Sequence, residues 1–117
     1  FGIRSGTKEE FEYAKANTNM YTIEVLEPLK KVVDKFKGKP VYFTLDIDVV
    51  DPAYANGTGT PEPGGISSKE LIQALNVLKD LNIVGFDIVE VSPHYDQSDR
   101  TAVLAAKVIR DMIMIMG

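Results

Sequence analysis

Val41-Tyr42-Phe43-Thr44-Leu45-Asp46-Ile47-Asp48-Val49-Val50-Asp51-Pro52 decides how the rest of the chain is read. Its first five residues are β-branched, aromatic or aliphatic and carry no charge, the composition of a strand buried on both faces of a sheet. Working upstream, Val25, Leu26, Leu29, Val32, Val33 and Phe36 recur at helical spacing, and Gly38 and Pro40 end that helix before the strand begins. Further upstream, Met20-Tyr21-Thr22-Ile23 reads as a short strand. Thr7-Lys8-Glu9-Glu10 has the spacing of a capping box, which predicts a helix over residues 8–16. Downstream, Ser67-Ser68-Lys69-Glu70 is a second capping box, opening a helix with Leu71, Ile72, Leu75 and Leu78 on one stripe. Residues 83–91 read as another strand. Residues 99–116 read as a last helix with a wide apolar face of Val103, Leu104, Val108, Ile109, Met112, Ile113 and Met116.

Strands joined through helices need a crossover, and so imply a parallel sheet. The expected fold class is therefore α/β, a three-layer α/β/α arrangement with a mostly parallel sheet. Residues 1–117 are enough for one domain at most, and no repeat, low-complexity tract or charge block marks a linker or a second one.

Composition narrows the function. Hydrophobic residues make up 44% and charged residues 26%, which is ordinary for a globular protein. The absence of cysteine excludes a disulfide scaffold, a zinc ribbon and a thiol nucleophile, and the single histidine excludes any site needing two imidazoles from this chain. Thirteen scattered basic residues against 17 acidic ones, a net charge of -4, argue against nucleic-acid or membrane-surface binding. No apolar run approaches the length of a membrane span, and no basic-then-apolar leader opens the chain. A start at Phe1-Gly2-Ile3-Arg4 reads as the interior of a longer polypeptide.

Parallel sheets bind ligands at the carboxyl ends of their strands, and there the chain places Asp46 and Asp48. Residues two apart on a strand share a face, about 7 Å apart along it. Two such carboxylates repel each other and call for a cation or a shared proton. Their oxygen chemistry suits magnesium, calcium or manganese. A turn-capping role facing water is an equal reading of Asp-x-Asp alone. A phosphatase of the haloacid-dehalogenase type is a third. An EF-hand fails, because its twelfth loop position from Asp46 is Gly57 rather than a glutamate. From Asp46 to Gly65 the chain is polar and rich in Gly, Pro and Asp, and a loop of that length in a compact domain is usually functional.

That stretch, Asp51-Pro52-Ala53-Tyr54-Ala55-Asn56-Gly57-Thr58-Gly59-Thr60-Pro61-Glu62-Pro63-Gly64-Gly65 with Asp46 and Asp48 before it, resembles the third signature block of the ureohydrolases, the arginase–agmatinase family. Its ending is closer to the agmatinase branch, although Asn56 stands where proline is common there. The resemblance runs from Gly2-Ile3-Arg4-Ser5-Gly6 through Phe86-Asp87-Ile88-Val89-Glu90-Val91-Ser92-Pro93 to the last helix.

The resemblance implies a partial arginase-like fold and a cytoplasmic, oligomeric enzyme. Such an enzyme carries two manganese ions and hydrolyses a guanidino compound, agmatine first and guanidinobutyrate or arginine as alternatives. It matches Asp46 to the carboxylate that bridges both ions and Asp48 to a ligand of one. It matches Glu90 to the glutamate that pairs with the guanidinium; without the resemblance, Glu90 reads as a strand-end carboxylate paired with a nearby Lys or Arg. The remaining ligands belong to two histidine-bearing blocks that lie upstream in the family and are not in this sequence. The chain would then be a carboxyl-terminal portion, inactive alone. A non-catalytic fragment or a structural subunit is the reading from another class. His94 matches neither ligand histidine and is expected at the pocket mouth. Asp87 is expected on the opposite side of its strand from Glu90. Met112, Met114 and Met116 are expected in core or subunit interface.

Overall fold

Two parallel strands form the centre of the molecule, β1 (Pro40–Asp46) and β2 (Asn82–Val89), in register from Pro40 opposite Asn82 to Asp46 opposite Val89. The computed structural model describes residues 1–117. A register shift between Val41 and Tyr42 leaves Val84 unpaired and sets Gly85 opposite Tyr42. A Cβ at Gly85 would stand 3.0 Å from the Tyr42 ring, so the missing side chain is what lets the ring lie on the neighbouring strand.

The chain has four helices: α1 (Lys8–Asn17), α2 (Leu26–Val32), α3 (Ser68–Val77) and α4 (Arg100–Met116). Both capping boxes form as the spacing predicts. Thr7 accepts from the Glu10 amide while Glu10 accepts from the Thr7 amide, and Ser67 and Glu70 repeat the exchange. The helix predicted through Phe36 is α2 followed by a 3-10 turn over Val33–Phe36, a usual way for a last turn to tighten. Gly38 then reverses the chain with φ of 75°.

The core joins Leu45 and Ile83 of the strands to Leu71, Leu75 and Leu78 around α3 and to Val108 and Met112 of α4, with Ile47, Val50, Ala55 and Ile66 from the connecting loop. Met112 is fully buried, whereas Met114 and Met116 are exposed, so one methionine of the set belongs to the core.

Two expectations change. β1 is not buried on both faces: Tyr42 is 63% exposed and Thr44 is exposed, while Leu45 is buried. Helices α3 and α4 cover only the Leu45 side. Met20–Ile23 forms no strand. Its β-formers yield a single bridge between Thr22 and Ile3, with Ile23 in the left-handed region at φ of 61°.

A cleft of about 790 Å³ runs between residues 1–5, α2, α3 and β1, lined by consecutive residues from Val41 to Asp46. Its walls are mostly apolar, and Asp46, Asp48 and Glu62 bring carboxylates to it. No helix is long and apolar enough to cross a membrane.

Candidate active site

β1 delivers Asp46 as its last residue, and the backbone then turns into a 3-10 turn over Ile47–Val49. Asp48 therefore sits on a turn rather than two places along a strand, which corrects the alternation argument. What brings the two aspartates together is a side-chain bond: Asp46 Oδ1 accepts from the Asp48 amide at 3.0 Å and caps the turn. Thr60 Oγ1 donates to Asp48 Oδ2 at 3.4 Å, so the glycine-rich loop closes over the second carboxylate.

Burial pushes the Asp46 carboxyl above its usual range, and the nearby negative charges of Asp48 and Glu90 push it further, against the opposing effect of the Asp48 amide. Asp46 and Asp48 thus stand side by side with no side-chain cation paired to either, and Glu90 is near enough for its charge to act on Asp46. That is an arrangement of hard oxygen donors that a divalent ion would neutralise. It is also incomplete: no three His, Asp, Glu or Cys side chains converge closely enough to hold an ion by themselves.

Glu90 follows directly after β2, with φ of 64°. A left-handed backbone at a non-glycine residue costs about 1–3 kcal/mol and is retained where the surroundings impose it. Here it directs the carboxylate toward the loop, where a Cβ on Gly59 would lie 3.9 Å from Glu90 Oε2. His94, in a 3-10 turn over Pro93–Tyr95, is exposed and makes no hydrogen bond to the aspartates.

Asp87 faces the other way. Its carboxylate accepts from Thr44 Oγ1 at 2.5 Å and from the Tyr42 hydroxyl at 2.7 Å across the strand pair, bonds that hold it below the usual carboxylate range. It is a cross-strand tie on the open sheet face.

The loop from Val50 to Gly65 is held at several points. Asp51 accepts from the amides of Ala53 at 2.9 Å and Gly64 at 2.8 Å. Asp51 and Ile66 pair through the Asp51 amide at 2.9 Å, and the Ile66 amide reaches the Val49 carbonyl at 3.0 Å. Gly65 lies against that backbone so closely that a Cβ there would stand 2.5 Å from the Asp51 nitrogen. At the far end the Gly57 amide donates to Thr101 Oγ1 at 2.8 Å, and the Gly57 carbonyl accepts from Ser92 at 2.8 Å.

Sequence reading gave no role to Arg4, Ser5, Asp96 or Thr101. Ser5 Oγ donates to Glu62 at 2.6 Å, and Asp96 accepts from the amides of Thr101 at 2.8 Å and Ala102 at 3.1 Å. These partners lie five to 57 residues apart, so no local pattern marks them.

Agmatinase from Bacillus anthracis is 56% identical over 117 residues, covering 97% of this chain and 40% of that protein. The proclavaminate amidino hydrolase structure from Streptomyces clavuligerus superposes with a TM-score of 0.86 at 37% identity, covering 98% of this chain and 40% of that one. The agmatine ureohydrolase structure from Thermoplasma volcanium gives 0.81 at 35% identity, covering 98% and 40%. The chain spans about 40% of the length of the curated relatives it matches. The model of the arginase family matches residues 1–115, and with a parallel α/β fold and an acidic strand end of this kind, the chain belongs to the arginase family.

Proposed function

We propose that residues 1–117 are the carboxyl-terminal portion of a single ureohydrolase domain, and that the complete protein hydrolyses agmatine to putrescine and urea with two manganese ions. The observation that carries this reading is the pairing of Asp46 and Asp48 at the end of β1, where Asp46 Oδ1 accepts from the Asp48 amide and no side-chain cation neutralises either carboxylate; burial, and then the charges of Asp48 and Glu90, push the Asp46 carboxyl up. The relatives' names narrow the substrate to a guanidino compound and favour agmatine.

Asp46 and Asp48 would hold the ions from this chain, with the other ligands supplied by the remainder of the protein. When bound, a pair of divalent ions supplies Lewis-acid charge and a nucleophile available at neutral pH. Glu90 accepts the planar fork of guanidinium N–H donors, which sets the central carbon in line for attack and fixes which nitrogen leaves. Thr60, from the loop between Asp51 and Gly65, donates to Asp48 and so ties that loop to the site.

The test uses the complete protein. Manganese content near two ions per chain, urea release from agmatine, and loss of both in Asp46→Asn are the expected results, because a neutral amide is a far weaker ligand for a divalent ion than a carboxylate. Asp48→Asn should chiefly weaken one ion. Full manganese and normal turnover in both variants would overturn the assignment. The 117-residue chain alone, lacking a cluster able to hold an ion, should release no urea.

A further inference from the structure

Arg4 is the one basic side chain among those lining the cleft beside β1, yet it makes no ion pair with the carboxylates there. Its guanidinium is spent on backbone carbonyls instead. Nη1 donates to Val49 O at 3.2 Å and to Gly2 O at 3.4 Å, and Nη2 donates to Asp48 O. Two of these oxygens belong to the end of the 3-10 turn over Ile47–Val49, where carbonyls lack partners inside the turn. The arm is short and fixed. Gly2, two residues before Arg4, sits where a Cβ would be 2.5 Å from Val49 Cγ2, so the segment bearing Arg4 is packed onto the turn it clasps.

The backbone of Asp48 is consequently pinned on both sides. Its amide is held by the Asp46 carboxylate at 3.0 Å, and its carbonyl is held by Arg4. The first pin uses a carboxylate that a bound cation would draw on, which weakens its hold on the amide. The second is independent of that carboxylate.

We propose that Arg4 is a positioning residue for the metal centre, the pin that keeps Asp48 aligned with Asp46 when Asp46 gives its charge to an ion; this rests on the two-aspartate reading of the site. A guanidinium suits the task because its rigid fork reaches three carbonyls at once, whereas the ammonium of lysine is a single point charge on a flexible stem. Preorganisation of this kind sets metal affinity through the geometry of its ligands.

The experiment compares complete wild-type protein with Arg4→Lys and Arg4→Gln, titrating each metal-free protein with manganese chloride by calorimetry and recording melting with and without the ion. The expected result is a metal-free melting temperature close to wild type, and apparent manganese affinity reduced about tenfold or more for one of the two ions. The turnover of agmatine should fall at limiting manganese and recover at excess, with KM unchanged within twofold. A manganese titration matching wild type within twofold would overturn the proposal, as would failure of both variants to fold, since bracing the fold then suffices. A rise in KM that excess manganese does not repair would also overturn it, making Arg4 a substrate contact. Wild-type protein that binds no manganese at all would instead overturn the metal reading on which the proposal rests.

Discussion

Gly57 rests directly on the side chain of Asp96: a Cβ at Gly57 would lie 2.5 Å from Asp96 Cβ and 2.9 Å from Thr101 Oγ1. The contact matters because Asp96, 6% exposed, does the capping of α4. Asp99, the residue next to the helix, has φ of 55° and makes no capping bond. The glycine-rich loop and the start of α4 are therefore one packed unit.

Gly57→Ala should overpack this junction and destabilise the complete protein by about 1–3 kcal/mol, the usual cost of an inserted methyl in a filled site. Chemical denaturation of the variant beside wild type measures it. No change would mean that Asp96 has room to move.

Asp96→Ala removes the partner of two amides at the start of a 17-residue helix. The expected loss is about 1–2 kcal/mol, as for other helix caps. Asp96→Asn should recover part of it. Equal stability of both variants and wild type would show that solvent replaces the cap.

Glu90→Gln keeps the size and hydrogen-bonding capacity of the side chain and removes its charge. In the complete protein kcat/KM toward agmatine should fall about a hundredfold, the few kcal/mol that an unpaired charge opposite a guanidinium costs. Manganese content should stay at the wild-type value. Wild-type kinetics toward every guanidino substrate would return Glu90 to a strand-end carboxylate.

Asp87 has a carboxyl held below its ordinary value by the hydroxyls of Thr44 and Tyr42. A depressed folded value means that its contribution is fully present above the usual aspartate range, near about pH 4, and is lost as pH falls through the folded value. Asp87→Asn should therefore flatten the acid limb of stability against pH while leaving metal content unchanged. An identical acid limb would show that the cross-strand bonds contribute nothing.

Leu75 is 1% exposed at the centre of the core between α3 and the strands. Leu75→Ala should cost about 2–5 kcal/mol. Thermal denaturation with manganese absent isolates that loss from any metal effect.

The helices were legible because their signals are local. Thr7 with Glu10 and Ser67 with Glu70 are four-residue patterns, and the stripes of α3 and α4 repeat within a few turns. What one strand buries was not. The uncharged run at Val41–Leu45 is indistinguishable from that of a strand covered twice, although Tyr42 and Thr44 instead pair with Asp87 from 43 to 45 residues away. The Asp46–Asp48 pair was found through its spacing, yet the spacing argument assumed a strand where the backbone turns. Residues that hold the site from afar, Arg4 on Asp48 and Thr101 on Gly57, leave no trace in local sequence, because the contact exists only once the chain has closed.

The left-handed backbone of Glu90 sets two pressures against each other. At φ of 64° a glycine would be at ease, and the fold would gain about 1 kcal/mol or more by accepting one. A population enriched only for heat resistance should thus drift to glycine at 90 and become sturdier, and on the reading proposed for Glu90 it should lose turnover. Retention of glutamate against that gradient would be a quantitative sign of selection for turnover, readable by competing the two alleles with and without a demand for the product.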